Sequence, residues 1–162
     1  MKQLLASYTQ YEYWANEKLF EVILSLSEEQ YQQEVVSSFP SIYKTCLHMW
    51  DATSIWWQRL HKVEQVVVPS LSFHPSMNDI VHGILQQNKQ WIDWVNAADI
   101  DKLELKLAYK TSKGDPFQQP VNEILLHLNN HGTYHRGQLV TLLRQVGVEK
   151  IPQTDYILYS RL

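Results

Sequence analysis

Residues 120–147 read PVNEILLHLNNHGTYHRGQLVTLLRQVG, and their pattern predicts how the chain folds. Its apolar residues recur at steps of three and four, which predicts an amphipathic helix with one face turned towards a core. Pro120 suits the first helical position, and Gly147 suits the residue that ends a helix. The apolar stripe consists of Val121, Ile124, Leu125, Leu128, Leu139, Leu142, Leu143 and Val146. Because one helix cannot bury such a stripe alone, the segment predicts a bundle.

Three earlier segments have the same helical periodicity, over residues 2–26, 41–62 and 76–98. Residues 27–30 have the capping-box pattern of a short helical turn. Residues 103–119 begin with alternating apolar and polar positions and contain turn-forming residues, which predicts a small hairpin or an extended crossover. Together these segments predict an all-α four-helix bundle with a long crossover between the third and fourth long helices.

Length and composition narrow the class of protein. A chain of 162 residues is expected to form one domain, over residues 1–162. The 14 Lys and Arg residues against 17 Asp and Glu residues give no electrostatic reason to expect nucleic acid as a partner. No apolar stretch approaches the roughly 18 residues of a membrane span, and the start has no signal-peptide core. We therefore expect a cytoplasmic protein without a membrane partner.

The predicted last helix carries three histidines at successive four-residue steps, His127, His131 and His135. Two histidines four residues apart on a helix point the same way and can hold one metal ion. On a helical wheel, His135 lies roughly 20° from the centre of the apolar stripe, His131 roughly 60° and His127 roughly 100°. His131 and His135 are therefore predicted to face the core, where a metal ion or ordinary hydrogen bonds would satisfy them.

A third ligand must come from another helix, and His48 lies in the middle of the second long one, beside its apolar stripe. His82 falls on the polar side of the third helix, while His61 and His74 lie at a helix end and in a loop, so these three are predicted to be solvated. Cys46 is the only cysteine and is interpreted as a small buried hydrophobic residue. A metal site would thus use histidine or carboxylate ligands.

Several well-defined catalytic motifs do not occur in the sequence. His131 is followed by Gly132, so the pair does not form the zinc-protease motif His-Glu-x-x-His. Glu-x-x-His does not occur, which argues against a di-iron carboxylate bundle. Neither a phosphate-binding Gly-rich loop nor Gly-x-Ser-x-Gly is present.

Four short motifs resemble the DinB-like family, also called YfiT-like metalloenzymes. They are Tyr-Trp-Ala-Asn at 13–16, Thr-Cys-Leu-His at 45–48, the string from His127 to Gln138, and Thr-Asp-Tyr at 154–156. The resemblance implies an up-down-down-up bundle, a homodimer, and a zinc or nickel ion held by His48, His131 and His135. Some relatives are thiol-dependent transferases or isomerases, so it also implies a small-molecule substrate, with a thiol among the candidates.

The chemistry that such a site permits leaves three functions open. Three neutral imidazoles leave a coordination position free, which is typical of catalytic zinc. The metal could activate a low-molecular-weight thiol for transfer, through its sulfur, to an electrophile. It could instead support hydrolysis by bound hydroxide with Asp51 or Tyr134 as acid or base, or it could only stabilise a non-catalytic bundle.

Residues around the histidines are predicted to support them. The candidates for orienting the imidazole rings are Asn16, His127, Arg136 and Gln138. Gly132 and Gly137 lower helix propensity in the middle of the last helix, by up to about 1 kcal/mol each relative to Ala. We expect each glycine to allow the close approach of another helix, within the chain or across a dimer.

Overall fold

The computed structural model describes residues 1–111 and 113–162. The four long helices are α1 (Lys2–Leu24), α3 (Ile42–Leu60), α5 (Met77–Ala97) and α7 (Val121–Gln145). The short ones are α2 (Glu28–Gln32), α4 (Pro69–Ser72), α6 (Ile100–Glu104) and α8 (Tyr156–Tyr159), and the strands are β1 (Lys106–Lys110) and β2 (Pro116–Pro120). Across the described ranges, no helix has the length and apolar character needed to cross a membrane.

The long helices form the predicted all-α bundle, in which α1 and α3 each pack against both α5 and α7. At one end of the core, the second half of α1 meets the first halves of α3 and α5 and the second half of α7. At the other end, the start of α1 meets the end of α5 and the start of α7. Helices α1 and α7 therefore run one way and α3 and α5 the other, in up-down-down-up order.

Helix ends follow local capping chemistry and correct the predicted bounds by one or two residues. Ser41 and Ser76 belong to the N-caps, since their side chains accept the N–H of Lys44 and Asp79. Pro120 likewise precedes the first residue of α7. After α7, Gly147 has a φ of 90° and the N–H of the next residue reaches back to the carbonyl of Leu143, the expected glycine stop.

The crossover between α5 and α7 contains the predicted hairpin, preceded by a helical turn that the alternating pattern concealed. Asp99 caps α6 by accepting the N–H of Lys102, so residues 103 and 104 are helical and not extended. Strands β1 and β2 then pair antiparallel, from Lys106 opposite Pro120 to Lys110 opposite Pro116. Ser112, inside the predicted hairpin range, lies outside the described residues.

A buried polar network ties α7 to α1 and α5. Arg136 is paired with Glu12 at 2.6 Å, and both side chains are almost fully buried. Arg136 also donates to the Asn16 amide oxygen at 3.0 Å, and Asn16 donates to Asn88 on α5 at 2.9 Å. Burial raises the pKa of the Glu12 carboxyl, and Arg136 opposes that rise. The network fixes the rotation of α7, because Arg136 can meet Glu12 from one face of the helix only.

Gly132 lies directly over this ion pair, which confirms the predicted close approach of another helix at this position. A Cβ at this position would collide with the carboxylate of Glu12 on α1. We predict that Gly132→Ala destabilises the protein by about 1 to 3 kcal/mol, since the methyl group must displace a buried, paired carboxylate. Urea unfolding of the variant and the parent measures this difference.

Gly137→Ala is the matched control, because the described residues place no atom within 4 Å of a Cβ there. The alanine is expected to be neutral or to stabilise by up to about 1 kcal/mol through helix propensity. Equal stabilities for the two alanine variants would contradict the packing role assigned to Gly132.

Candidate metal centre

The structure brings together the three histidines selected from the sequence. The Nε2 atom of His131 lies 3.0 Å from Nε2 of His48 and 3.0 Å from Nε2 of His135. One ligand atom from each of the three rings falls within 4.8 Å of the others. His48 comes from α3, and the other two come from successive turns of the facing helix α7. The arrangement fits a site for one metal ion.

The burial of the histidines on α7 follows the order given by the helical wheel. His135 is only 3% exposed, His131 is partly buried and His127 is exposed. The ring centroid of His127 lies 5.7 Å from that of His131, so His127 borders the cluster without joining it. His61, His74 and His82 are exposed, as predicted.

Gln138 orients the ring of His135, as predicted for a residue supporting the cluster. The Nδ1–H of His135 donates to the side-chain oxygen of Gln138 at 2.7 Å. The amide nitrogen of Gln138 contacts the hydroxyls of Ser38 and Tyr134, each at 3.2 Å. Because its Nδ1 carries the hydrogen, neutral His135 presents the lone pair of Nε2 to the other two rings.

Phe39 covers the cluster from the loop between α2 and α3. Its ring stacks on His48 with the centroids 4.1 Å apart and the planes inclined by 20°, and it meets His135 edge-on at 5.7 Å. Sequence reasoning missed both Phe39 and Ser38, because residues 33–41 have no helical periodicity that would assign their side chains to a face. An aromatic residue shortly before the predicted second helix is the only signal the sequence offers.

The electrostatic environment keeps the three imidazoles neutral. Burial, with the neighbouring imidazoles, lowers the pKa of His131 to about 3. Burial also lowers the pKa of His48, against a partial opposing effect of Asp51, and that of His135, against the hydrogen bond to Gln138. Near neutral pH all three rings therefore offer lone pairs, the form that binds metals.

Hydrogen bonding among the rings cannot satisfy all three Nε2 atoms. If Nε2 of His131 carries a hydrogen, it can donate fully to only one of its two neighbours. If it carries a lone pair, it faces the lone pair of His135 at 3.0 Å. A single cation between the rings would accept all three lone pairs at once, so the donor set fits a divalent metal better than it fits a network of neutral histidines.

Other residues predicted to support the cluster have a different role. Asn16 and Arg136 bond to each other and to Glu12 in the network between helices, so they fix the position of α7 and do not orient a ring.

Cys46 is fully buried, which raises the pKa of its thiol and agrees with a structural role. Asp51 accepts the backbone N–H of Ser70 at 2.9 Å, and so anchors the segment after α3.

The protein is thus one of the helical bundles in which three histidines from two facing helices converge. Within that class the chain belongs to the DinB family, whose model matches residues 1–162. It is similar to Protein DinB from Bacillus subtilis (strain 168), with 30% identity over 159 residues, covering 93% of this chain and 90% of that protein. The resemblance noted in the short motifs is thereby confirmed.

Solved structures share the fold. A DinB-like protein from Bacillus cereus ATCC 10987 matches with a TM-score of 0.69 and 21% identity, covering 89% of this chain and 91% of that one. A structure assigned to the DinB family from Exiguobacterium sibiricum 255-15 matches with a TM-score of 0.68 and 15% identity, covering 95% and 97%. At these identities the likeness establishes the architecture.

The neutral state of His131 predicts how stability depends on pH. Its pKa is about 3 in the folded protein and 6.5 for an ordinary histidine, so the unfolded chain binds more protons between these values. The stability of the metal-free protein is expected to fall as the pH drops from 6.5 towards 3. Urea unfolding at a series of pH values should show a shallower slope for His131→Gln than for the parent.

The exposed loop residue His74 gives the matched control for that series. His74→Gln is expected to keep the slope of the parent. If His131→Gln keeps it as well, the ring of His131 takes up its proton as readily in the folded protein as in the unfolded chain, and the assignment is wrong.

Proposed function

We propose that the protein is a divalent-metal-dependent enzyme in which His48, His131 and His135 hold one zinc or nickel ion that activates a low-molecular-weight thiol. The thiol loses its proton, its sulfur forms a bond to an electrophile, and the group displaced from the electrophile leaves with the electron pair of the broken bond. The observation that carries the proposal is the convergence of three neutral imidazole nitrogens within 4.8 Å. Three histidine ligands leave a coordination position for a substrate, as in catalytic zinc sites.

The residues of the chain prepare the site for a thiol. When bound, a divalent ion would favour the thiolate of a thiol over its protonated form. Gln138 holds His135 in the tautomer that presents Nε2, and Phe39 shields His48 from water on its stacked face. A thiolate is itself the nucleophile, so its attack on the electrophile needs no separate general base.

The hydrolytic alternative is supported less well by the side chains present. Asp51 already accepts a backbone N–H through one carboxylate oxygen. The hydroxyl of Tyr134 contacts the Gln138 amide, and its side chain is mostly exposed. Both candidates for a general acid or base thus have structural partners or lie in solvent, which favours the thiol reaction over hydrolysis.

Metal binding is tested by single substitution of the three histidines. His48→Ala, His131→Ala and His135→Ala are each expected to weaken zinc or nickel affinity by more than the roughly 10- to 100-fold lost with an outer-shell partner. His82→Ala, on the exposed face of α5, is the control and should bind like the parent. Titration calorimetry on untagged protein measures the affinities, and unchanged binding in all three variants would refute the site.

Catalysis is tested with metal-loaded protein and a panel of low-molecular-weight thiols and electrophiles. Turnover is expected, with loss on chelation and in His131→Ala and retention in His82→Ala. If chelation lowers the melting temperature while no member of the panel turns over, the metal stabilises the bundle without catalysing thiol transfer. That result would refute the enzymatic proposal and favour a non-catalytic bundle stabilised by the metal.

We also propose that two copies of the chain pair through the face of α7 that carries Gly137. This glycine is exposed and meets no described atom where its Cβ would lie, so the close approach expected for it does not occur within the described part of the chain. Gly137 lines a groove of about 600 Å³ together with Leu4, Leu126 and Val140, of which Leu4 and Leu126 are exposed. Such a groove supports contact with a second copy.

A Gly137→Leu variant tests the pairing. The larger side chain should fit the monomer but overpack the interface, raising the dimer dissociation constant about tenfold or more. Sedimentation velocity measures this constant, with Gly137→Ala as the small-side-chain control and circular dichroism as a check of helix content. A variant that assembles like the parent would exclude this face.

A further inference from the structure

A second cavity, of about 430 Å³, lies beside the metal centre, where the hairpin meets α3 and α7. Its walls are mainly aromatic and aliphatic: Trp56 comes from α3, Tyr109 and Phe117 from the two strands, and Ile124 and His127 from α7. The size falls within the range of pockets that hold small organic molecules. None of the three ligand histidines lines it, so it is a separate feature of the surface next to them.

A continuous row of rings joins this pocket to the metal centre. The ring of His127, which lines the pocket, is 5.7 Å from that of His131 between centroids. The ring of His127 also lies 5.9 Å from that of Trp56, and the rings of Trp56 and Tyr109 are 4.7 Å apart, again between centroids. The pocket therefore begins one ring away from the histidine at the middle of the cluster.

The aromatic wall is held in place before any ligand enters. The guanidinium carbon of Arg59 lies 4.7 Å from the ring centroid of Trp56 and 5.0 Å from that of Tyr109. Arg59 also donates to the carbonyl of Lys110 on β1 at 2.8 Å, which ties the hairpin to α3. The hydroxyl of Tyr109 bonds to Gln119 at 2.8 Å. A preorganised wall lowers the entropic cost of binding.

The charges around the pocket favour an uncharged ligand. Glu123 on α7 is the carboxylate among its lining residues, and Arg59, whose guanidinium packs against the rings of Trp56 and Tyr109, does not line the pocket. An anionic group in the pocket would face Glu123 without a paired cation. The lining thus suits an uncharged planar or branched apolar group.

We infer that this aromatic pocket binds the uncharged apolar group of the substrate, while the substrate's reacting atom lies at the three-histidine centre. This inference rests on the proposed function. The expected substrate is a thiol or electrophile bearing a phenyl-sized or branched aliphatic group. Phe117, His127 and Trp56 are the specificity-determining side chains. The substrate reaches from the pocket past His127 to His131.

The pocket is tested first without metal, using the uncharged fluorescent probe N-phenyl-1-naphthylamine. Phe117→Ala is expected to weaken probe binding about tenfold, because one aromatic wall is lost. Phe73→Ala is the matched control: both phenylalanines are 49% exposed, and Phe73 stacks on Trp50 away from the pocket. Absence of probe binding, or equal effects of the two substitutions, would overturn the inference.

The link to the metal centre is tested next with protein loaded with cobalt(II), whose visible spectrum reports thiolate binding. The parent should bind 2-phenylethanethiol about tenfold more tightly than ethanethiol, and this preference should vanish in Phe117→Ala and persist in Phe73→Ala. Equal affinity of the parent for both thiols would overturn the link. Failure to bind cobalt at all, with probe binding intact, would refute the proposed function and leave the pocket supported as an apolar binding site.

Discussion

Three uncharged imidazole nitrogens lie so close together that they cannot all be satisfied by hydrogen bonds to one another. His131 is 3.0 Å from a ring nitrogen on each side, and His135 has its only hydrogen committed to Gln138. Burying such a set without a cation leaves lone pairs facing each other, a state that costs free energy. The surrounding bundle holds the rings in this arrangement, which fits the binding of one metal ion.

The rest of the bundle supplies the rigidity that this arrangement requires. The Glu12–Arg136 ion pair and the adjacent Gly132 set the rotation of α7 against α1, on a face about 100° around the helix from the histidines. Replacing a buried ion pair by apolar residues is often neutral for stability, so its value here lies in fixing a unique packing. Rotational freedom of α7 would carry His131 and His135 away from His48 on α3.

Much of this architecture follows from the sequence because long helices have a strong apolar period. The same period ranked His135, His131 and His127 by burial, and the structure reproduces that order. The prediction of extended structure at residues 103 and 104 is wrong, because a short helical turn and a strand are equally consistent with a few alternating positions. The contacts of Phe39 and Ser38 depend on tertiary packing of an aperiodic loop, which no local pattern encodes. The open space around Gly137 likewise depends on the positions of the neighbouring helices, which the sequence pattern does not specify.

If one cation joins the three rings, X-ray absorption at the metal edge of protein loaded with one equivalent of zinc should detect all three of them. The expected coordination shell contains three imidazole nitrogens at roughly 2.0 to 2.1 Å and at least one further light atom. Multiple-scattering features of only one imidazole, or a shell of oxygen atoms alone, would contradict it and show that the rings converge for another reason.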